Sequence, residues 1–518
     1  MTDGGFTPMA DLFTDILATE PELPALVQDG QATTFAQWWS ASSLAASALA
    51  ELGVGPGTVV GLLLPSGQDF ATAYLALARL GAVVCGINPR LGPTEIAHII
   101  RQAESVVVIT DDPEQLPADL PCFVRTPAEL RGPSDAVPSV DGWTRTSADA
   151  PAVVVWTSGS TGMPKGVWFD HSTLAFIAAN VGPLSQWHDR KLMPVPFAHA
   201  AYLTRVHDQL LHRVTLVLTP AVWRAESMLD VLESERVTVG QGVPTQWEKL
   251  VALDRLADAD LSALRLVSTG ASRVPAALVH ALHERLRCPV VVRYASTEVP
   301  LAFGTGIADP PETVATTVGR PLGGADVEIR DAEGKPLPCG EIGQVFLRSA
   351  ARMRGYWREP ELTARTIDPD GWLSSNDLGR LDPAGNLIII GRADDAYIRG
   401  GYNIHPAEVE AAIGAHPQVS RVAVVGTPAP VIGEIGVAFV VTDGDVTASA
   451  LRDWCRARIA DYKVPDIVEF VTDLPVNATF KIDVGELRTL AASLPPIRRG
   501  RGSTRSEPGC PGSPAGRS

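Results

Sequence analysis

The sequence lacks several features that would assign the chain to a common class. Its six cysteines are scattered over 518 residues without CxxC or CxxH pairing, so we expect neither a disulfide framework nor a zinc site. No run approaches the ~20 consecutive apolar residues of a membrane-spanning helix. The first residues, MTDGGFTPMADLF, lack the basic patch and apolar run of a signal peptide. We therefore expect a cytoplasmic protein with no membrane partner.

Basic charge is also scarce. The chain has 43 Lys and Arg against 59 Asp and Glu, a formal net charge of −16 at pH 7. Because nucleic-acid binding depends on an excess of cations facing phosphate, this balance argues against a nucleic-acid partner. Any anionic ligand must be held by a local cationic site, since the overall field repels it.

The chain is too long for a single core, and its pattern is that of an α/β protein. Length alone predicts two or more domains. Short runs rich in β-branched residues recur, several followed by helical patterns, as in sheets covered by helices on both faces. These runs are TVVGLLLP (58–65), SVVVIT (105–110), AVVVW (152–156), VTLVL (214–218), LRLVST (264–269) and PVVVRYA (289–295).

The texture changes in the last third of the chain. From about residue 319, alternating residues and turn signals predict antiparallel β structure, a β-rich subdomain of the large domain. After a polar, glycine-containing joint a small, mobile α+β domain is expected. We place the boundaries at 1–393 for the large domain, 394–495 for the small domain and 496–518 for a disordered Pro/Gly/Ser/Arg-rich tail.

A glycine-rich loop follows one of the buried strands. Residues 157–166 read TSGSTGMPKG, and such a loop offers backbone N–H groups, hydroxyls and a charge that suit phosphate. It is not a Walker A loop, because Pro164 precedes Lys165 and Gly166 follows it. The alternative is a flexible polar surface loop.

Four further stretches follow this loop in a fixed order. They are YASTE (294–298), GWLSSNDLGRLD (371–382), GRADDAYIRGGYNIHPAEVE (391–410) and LPVNATFKID (474–483). Over roughly residues 10–490 the chain resembles the adenylate-forming superfamily, which includes acyl-CoA synthetases, peptide-synthetase adenylation domains and firefly luciferase. The segment MRGYWREPELT (353–363) is most similar to acyl-CoA ligases of medium-length and aryl acids.

The resemblance implies a two-step ligase. A carboxylate attacks the α-phosphorus of ATP to give acyl-AMP and pyrophosphate, and the thiol of coenzyme A then takes the acyl group. By resemblance, ATP, Mg²⁺ and coenzyme A are the cofactors, and Glu298 is the metal ligand. Thr297 contacts the α-phosphate, although a Thr-Glu pair in isolation also fits a helix start.

The resemblance also assigns the nucleotide contacts. Tyr294 is expected to pack against adenine, and Asp377 to bind both ribose hydroxyls, although an Asp in a turn is often structural. The complete expected set is Thr157, Ser158, Gly159, Ser160, Thr161, Gly162, Lys165, Gly270, Ala271, Ser272, Tyr294, Ala295, Asp377 and Arg392.

The small domain is expected to serve both steps. By resemblance, Lys481 bridges the carboxylate and the α-phosphate during adenylation, and Asp394 is the hinge about which the domain turns. Gly400 and Gly401 then allow the backbone to lie beside the pantetheine arm, where a Cβ would obstruct it.

The acid is expected to be bulky and hydrophobic, and not an amino acid. In the segment equivalent to PVPFAHAAYL, peptide-synthetase domains carry an Asp after the aromatic residue, which pairs with the α-ammonium of an amino acid. Ala198 occupies that position here, and burying the ammonium without a partner would be costly. By resemblance, His199 matches a position at the pocket wall that adjusts between the two steps, and we expect it to be a catalytic residue. Small residues leave room for a ring system, namely Ala198, Ala200, Ala201 and Ala271.

Three departures from the family pattern leave the adenylation step open. Ala295, Asn376 and Phe480 stand where the family usually has glycine. If the backbone there has positive φ, each side chain costs about 1 kcal/mol or more. The alternative is therefore a ligase that only performs thioesterification, supplied with acyl-AMP by a partner adenylating enzyme.

Other functions stay open as well. A stand-alone enzyme loading a carrier protein, a luciferase-like oxygenase and a noncatalytic binding protein share the scaffold, while the missing GxSxG argues against a hydrolase. The Ala/Arg/Gly/Pro-rich composition suggests a GC-rich bacterial source, and natural-product biosynthesis is a hypothesis. A homodimer is an open alternative to a monomer.

Overall fold

The computed structural model describes residues 7–131, 142–157, 163–430, 432–477 and 480–494. The chain forms two compact units. The larger unit comprises Met1–Asp395 together with Val476–Ile482, and the smaller unit comprises Ala396–Pro475 and Asp483–Ser518. The segment carrying Lys481, which we expected in the small domain, thus groups with the larger unit. No helix in the described ranges has both the length and the apolarity to cross a membrane.

The described helices and strands alternate along most of the chain. The helices are α1 (Met9–Thr19), α2 (Phe35–Glu51), α3 (Gln68–Leu80), α4 (Pro93–Ala103), α5 (Pro127–Arg131), α6 (His171–Ala179), α7 (Ala200–Leu203), α8 (Val206–Leu211), α9 (Ala225–Ser234), α10 (Pro244–Val251), α11 (Ala276–Leu286), α12 (Pro311–Thr316), α13 (Pro360–Thr366), α14 (Pro406–Gly414), α15 (Ala448–Arg456) and α16 (Val484–Ser493).

The strands are β1 (Pro24–Gln28), β2 (Gln31–Thr34), β3 (Val59–Leu63), β4 (Val83–Gly86), β5 (Val107–Thr110), β6 (Phe123–Arg125), β7 (Pro151–Thr157), β8 (Lys165–Asp170), β9 (Arg190–Met193), β10 (Thr215–Leu218), β11 (Val239–Gly242), β12 (Leu266–Gly270), β13 (Val290–Tyr294), β14 (Phe303–Gly304), β15 (Arg320–Pro321), β16 (Asp326–Arg330), β17 (Gly343–Arg348), β18 (Gly355–Tyr356), β19 (Leu373–Leu381), β20 (Leu387–Arg392), β21 (Tyr397–Arg399), β22 (Tyr402–Ile404), β23 (Val419–Ala429), β24 (Gly433–Thr442) and β25 (Ile467–Phe470).

The larger unit contains three sheets. One has nine strands in the order β15-β14-β13-β12-β11-β9-β10-β1-β2, and a second has seven in the order β18-β8-β7-β4-β3-β5-β6. Both have parallel centres, with β12 between β11 and β13 and with β3 between β4 and β5. All six apolar runs form strands, so the predicted α/β fold is confirmed.

Burial explains why these runs are apolar on both faces. Every residue of β3, β4, β5 and β10 is buried, as helices on each side of the sheets require. In α3, the residues Phe70, Tyr74 and Leu77 have at most 1% of their surface exposed. The helix ends at Gly81, whose φ of 69° suits a left-handed C-cap.

The third sheet of the larger unit is the predicted antiparallel region. Its order is β16-β17-β19-β20, and all three pairings are antiparallel. Asp377 lies inside β19, whereas the sequence suggested a turn. The strand is irregular on both sides of Asp377, because Asn376 has positive φ and the register shifts after Leu378.

The smaller unit is a five-stranded sheet with helices, an α+β arrangement. Strands β22, β21, β24 and β23 are neighbours in that order, and β25 pairs with β24 in parallel. Its core includes Val409 and Ile413 from α14 and Leu451 from α15. The turn between β21 and β22 is formed by Gly400 and Gly401, whose φ values of 58° and 88° are those of a two-residue hairpin turn.

Candidate active site

A hydrogen-bonded pair lies where β13 of the first sheet meets β19 of the third. Tyr294 is the last residue of β13, and its Oη donates to Oδ2 of Asp377. Asp377 is registered against Arg392 on β20. Burial raises the pKa of Asp377, although the bond from Tyr294 and the charge of Arg392 act in the opposite direction. The pair fixes one carboxylate oxygen and leaves the other able to accept a hydrogen bond.

The segment after β13 is an irregular loop tied to a distant strand. Residues 295–300 form no helix, so the helix-start interpretation of Thr297 and Glu298 is wrong. Glu298 accepts from the backbone N–H of Met353 at 2.7 Å and, through its carboxylate, from Oη of Tyr356 at 3.1 Å. Tyr356 lies on β18, which pairs with β8, the strand that begins at Lys165.

The glycine-rich loop connects two antiparallel strands. Thr157 ends β7 and is registered opposite Lys165 at the start of β8. Ser158, Gly159, Ser160, Thr161 and Gly162 lie outside the described residues. Since β18 pairs with β8, the ends of this loop share a sheet with the hydrogen-bond partner of Glu298.

The chain turns sharply at the end of β12. A Cβ on Gly270 would lie 2.1 Å from the carbonyl oxygen of Arg293 on the neighbouring strand. Ala271 follows with φ of 65°, a conformation that costs a non-glycine residue about 1–2 kcal/mol. Ala271 and Ser272 are both exposed at this sheet edge. The strain at Ala271 had no signal in the sequence beyond the preceding glycine.

Lys481 is held in the larger unit by contacts of its turn. Val476 bridges to Ile482, and the carbonyl of Phe480 accepts from Oγ1 of Thr245 at 2.5 Å. The Phe480 ring lies 5.4 Å from that of Trp223. Thr245 and Trp223 were not predicted as site residues, because they are more than 230 residues away along the chain and no local motif marks them.

Lys481 shares an electrostatic environment with two other predicted residues. Burial, with the positive charge of Arg392, lowers the pKa of Lys481. Burial, with the charge of Lys481, lowers the pKa of His199 to about 4. With its pKa lowered in this way, His199, the N-cap residue of α7, is neutral at pH 7. The larger unit thus brings together Lys481, His199, Arg392 and, through Arg392, Asp377.

Two of the three residues that replace the family's glycines have a positive φ, the backbone conformation that is strained for a residue with a side chain. Asn376 has φ of 61° and Phe480 has φ of 60°, whereas Ala295 is not in the left-handed region. Asparagine tolerates this conformation at little cost, but a bulky aromatic residue does not. The strain is therefore concentrated at Phe480, next to Lys481.

The remaining predicted residues lie at the ends of the two units. Asp394 accepts from Nε of Arg392 at 3.0 Å, one residue before the larger unit's first segment ends. Gly400 and Gly401 belong to the smaller unit, and the positive φ of their hairpin turn alone accounts for glycine at both positions. No cluster of three or more His, Cys, Asp or Glu suited to a metal occurs in the part of the chain that the structure describes.

Two family models match most of this chain. The family model described as AMP-binding enzyme matches residues 13–357, and the model of its C-terminal domain matches residues 408–481. This chain belongs to the AMP-binding enzyme family. The family lies within the adenylate-forming superfamily, and this AMP-binding enzyme is an AMP-forming acid–thiol ligase, a class that uses ATP and CoA.

Three relatives illustrate the similarity of this AMP-binding enzyme. It is 34% identical over 478 residues to a feruloyl-CoA synthase of an Amycolatopsis species, covering 90% of this chain and 96% of that one. It is 36% identical over 510 residues to a 3-[(3aS,4S,7aS)-7a-methyl-1,5-dioxo-octahydro-1H-inden-4-yl]propanoyl:CoA ligase of Mycobacterium tuberculosis, covering 91% and 96%. The structure of the anthranilate CoA ligase AuaEII with anthranoyl-AMP superposes with a TM-score of 0.85 at 27% identity, covering 94% and 98%.

Proposed function

We propose that this enzyme joins a bulky, non-amino carboxylic acid to coenzyme A through an acyl-AMP intermediate. The observation that carries the proposal is the position of Lys481, half-buried in the larger unit and within electrostatic reach of His199 and Arg392. A cation at this place is what the transfer of an anionic phosphoryl group needs.

The first step needs no general base. The acid is already ionised at neutral pH, so its oxygen attacks the α-phosphorus of ATP directly. A bond forms between that oxygen and phosphorus, the bond to the bridging oxygen breaks, and pyrophosphate leaves. Lys481 stabilises the charge that gathers on the transferring group, and Thr297 contacts the α-phosphate. His199, held neutral by burial, borders the acyl group without adding charge.

The nucleotide is held along the ends of β12, β13 and β19. Tyr294 packs against adenine while Asp377 accepts from the ribose hydroxyls through the oxygen that Tyr294 leaves free. Arg392 adds charge next to Asp377. The other proposed contacts are Gly270, Ala271, Ser272, Ala295 and the loop from Thr157 to Lys165.

Magnesium fits the residues at this site. Among the described residues, the Glu298 carboxylate has one hydrogen bond, from Tyr356, and so retains oxygens for a cation. Mg²⁺ is commonly bound by one or two protein carboxylates together with substrate phosphates, and it supplies positive charge to them. We therefore assign Glu298 as the residue that holds it.

In the second step the sulfur of coenzyme A, having lost its proton, attacks the acyl carbon, and AMP leaves. We propose that residues 394–495 act as a small domain that moves about Asp394 between the steps. Gly400 and Gly401 would then face the pantetheine arm. Because their hairpin turn requires glycine by itself, replacing the glycines does not test this contact; substituting the exposed Tyr402 beside the turn does.

Ring acids are the proposed substrate class. Several relatives are named for ring acids, among them a feruloyl, an indenyl propanoyl and an anthranilate substrate. Ala201 and Ala271 are exposed in this structure, consistent with lining open space, whereas Ala198 packs against Gly86 and adds no room. A screen of kcat/KM in which short linear fatty acids exceed ring acids contradicts the proposal.

A thioesterification-only enzyme is the second candidate, and the positive φ of Phe480 favours it. ATP–pyrophosphate exchange with a panel of acids distinguishes the two. Robust exchange supports the complete ligase, whereas thioester formation from synthetic acyl-AMP without exchange supports the second candidate. Replacing free coenzyme A by carrier proteins as acceptors tests the loading function in the same assay.

A further inference from the structure

The face of the nine-stranded sheet that α7 and α8 cover contains a buried layer of cations. Lys191 on β9, Arg205 at the start of α8 and Arg293 on β13 belong to it. The side chains of Lys191 and Arg205 are 5% and 14% exposed. Strand register places Arg293 on the same face as Lys191, through Val291, Leu266 and Val239.

Negative charge in this layer does not balance the cations. Asp208 lies 3.1 Å from Nζ of Lys191 and 3.2 Å from Nη2 of Arg205. The nearby Asp189 is already bound by Arg265, whose Nε lies 2.8 Å away. Burial, together with the charge of Arg205, lowers the pKa of Arg293 to about 10. Within the described residues, no carboxylate is paired with Arg293.

The guanidinium of Arg293 is fixed by one edge and unsatisfied on the other. Nη1 donates to the carbonyl of Thr305 at 2.9 Å. The group lies against Gly304, where a Cβ would come within 1.8 Å of Nη1, so only glycine permits this position. Nε and Nη2 are buried with no hydrogen-bond partner in the described part of the chain. These two N–H groups form the edge of arginine that binds a carboxylate with two parallel hydrogen bonds.

The layer borders a small cavity beside the segment that carries His199. A cavity of about 20 Å³ is lined by Arg205, Tyr202, Ala201 and Lys191, among others. His199, whose pKa is lowered partly by the charge of Lys481, lies two residues before Ala201 on the same segment. The Oη of Tyr202 is also buried and without a described partner.

We propose that the acid carries a second carboxylate, which binds Nε and Nη2 of Arg293 beside Arg205 while the first is adenylated at Lys481. The inference rests on the proposed function and specifies its substrate. The ring system spans the interval between the two carboxylates. The cavity has room for about one water molecule, so the acid can bind only if a side chain moves. We expect Arg205 to move, because one ion pair, to Asp208, holds it among the described residues.

The test compares three acids with one skeleton. They are 3-phenylpropanoate, 3-(4-carboxyphenyl)propanoate and 3-(4-acetylphenyl)propanoate, each assayed by ATP–pyrophosphate exchange and by thioester formation. The wild type is expected to use the diacid with a kcat/KM on the order of 10²-fold above that of the monoacid, because a site built for a polar group rejects the analogue that lacks it. Arg293→Met is expected to lower kcat/KM for the diacid alone by a similar factor.

Two further variants separate recognition from folding. Arg293→Lys keeps the charge but not the bidentate edge, and it is expected to retain part of the preference. Arg287→Met, at the exposed C-cap of α11, is the matched control and should change neither ratio. AMP binding by calorimetry confirms that each variant is folded.

Several outcomes overturn the inference. One is equal use of monoacid and diacid by the wild type, and another is preference for the acetyl compound. A loss with Arg293→Met that is the same for all three acids indicates a structural arginine and also overturns it. Exchange with the diacid that is unchanged in Arg293→Met refutes this inference and leaves the proposed function standing. Absence of exchange and of thioester formation with every acid tested refutes the proposed function with it.

Discussion

The turn that carries Lys481 offers the most direct test of how this enzyme performs adenylation. Phe480 has two opposing effects there. Its φ of 60° strains the backbone, while its ring contacts Trp223 at 5.4 Å and the guanidinium of Arg90 at 5.8 Å. Substituting alanine removes the ring but keeps the strain, and substituting glycine removes both.

The magnitudes follow from these contacts. An aromatic pair contributes about 0.5–1.5 kcal/mol beyond burial, and an exposed cation–π contact about 0.5–1 kcal/mol. Phe480→Ala is therefore expected to slow acid-dependent ATP–pyrophosphate exchange roughly tenfold, since ~1.4 kcal/mol corresponds to a factor of ten. Glycine relieves about 1 kcal/mol of backbone strain at this φ. Exchange by Phe480→Gly should therefore be roughly fivefold faster than exchange by Phe480→Ala.

The control reaction is thioester formation from synthetic acyl-AMP. Its rate should change less than about twofold in both variants, because the Phe480 contacts are expected to act only in adenylation. Trp223→Leu should reproduce the effect of Phe480→Ala, and the double variant should add little to either. If either substitution at Phe480 accelerates exchange, the ring obstructs Lys481 instead of holding it. The reasoning would then be wrong, and the thioesterification-only candidate would gain support.

Three other predictions concern the site and its support. Asp377→Asn should raise the KM for ATP on the order of tenfold in steady-state titrations with little change in stability, because Tyr294 keeps an acceptor; an unchanged KM contradicts a ribose contact. Burial lowers the pKa of His199 from 6.5 to about 4, so its unfolded form binds the extra proton, and stability is lost as pH falls from 6.5 towards 4. His199→Gln should flatten that part of a thermal-unfolding pH profile, and identical profiles would disprove the assignment. Asp208→Asn should cost about 3–5 kcal/mol in urea unfolding by leaving Lys191 and Arg205 without their carboxylate, and Lys191→Met with Asp208→Leu should recover the part due to Lys191; no recovery would show that packing, not the charge of Lys191, sets the cost.

Much of the fold could be predicted because it depends on local patterns. A run such as VVIT is buried on both faces only inside a helix-covered sheet, and β5 follows from that requirement. The end of α3 at Gly81 follows in the same way from a residue that tolerates positive φ. The positive φ of Asn376 and Phe480 was expected conditionally, from glycine's usual presence there.

The contacts that hold the site could not be predicted, because they join residues far apart in sequence. Nothing local to Thr245 indicates that its hydroxyl donates to the carbonyl of Phe480. Arg293 precedes a recognisable motif, yet its unsatisfied edge depends on Gly304 of the next strand and on Thr305. Ala271 was expected to line a pocket, but its backbone strain became evident only with the bend after β12.

The larger unit is discontinuous, since the chain leaves it after Asp395 and returns for Val476–Ile482. A ribosome synthesises the chain in order, so the sheets of the larger unit emerge well before its lysine-bearing turn. A nascent chain that ends at residue 395 contains both Tyr294 and Asp377 but not Lys481. On the proposed function, the growing chain therefore contains its nucleotide contacts before it contains its catalytic lysine, and a fragment that ends before Val476 is expected to lack adenylation.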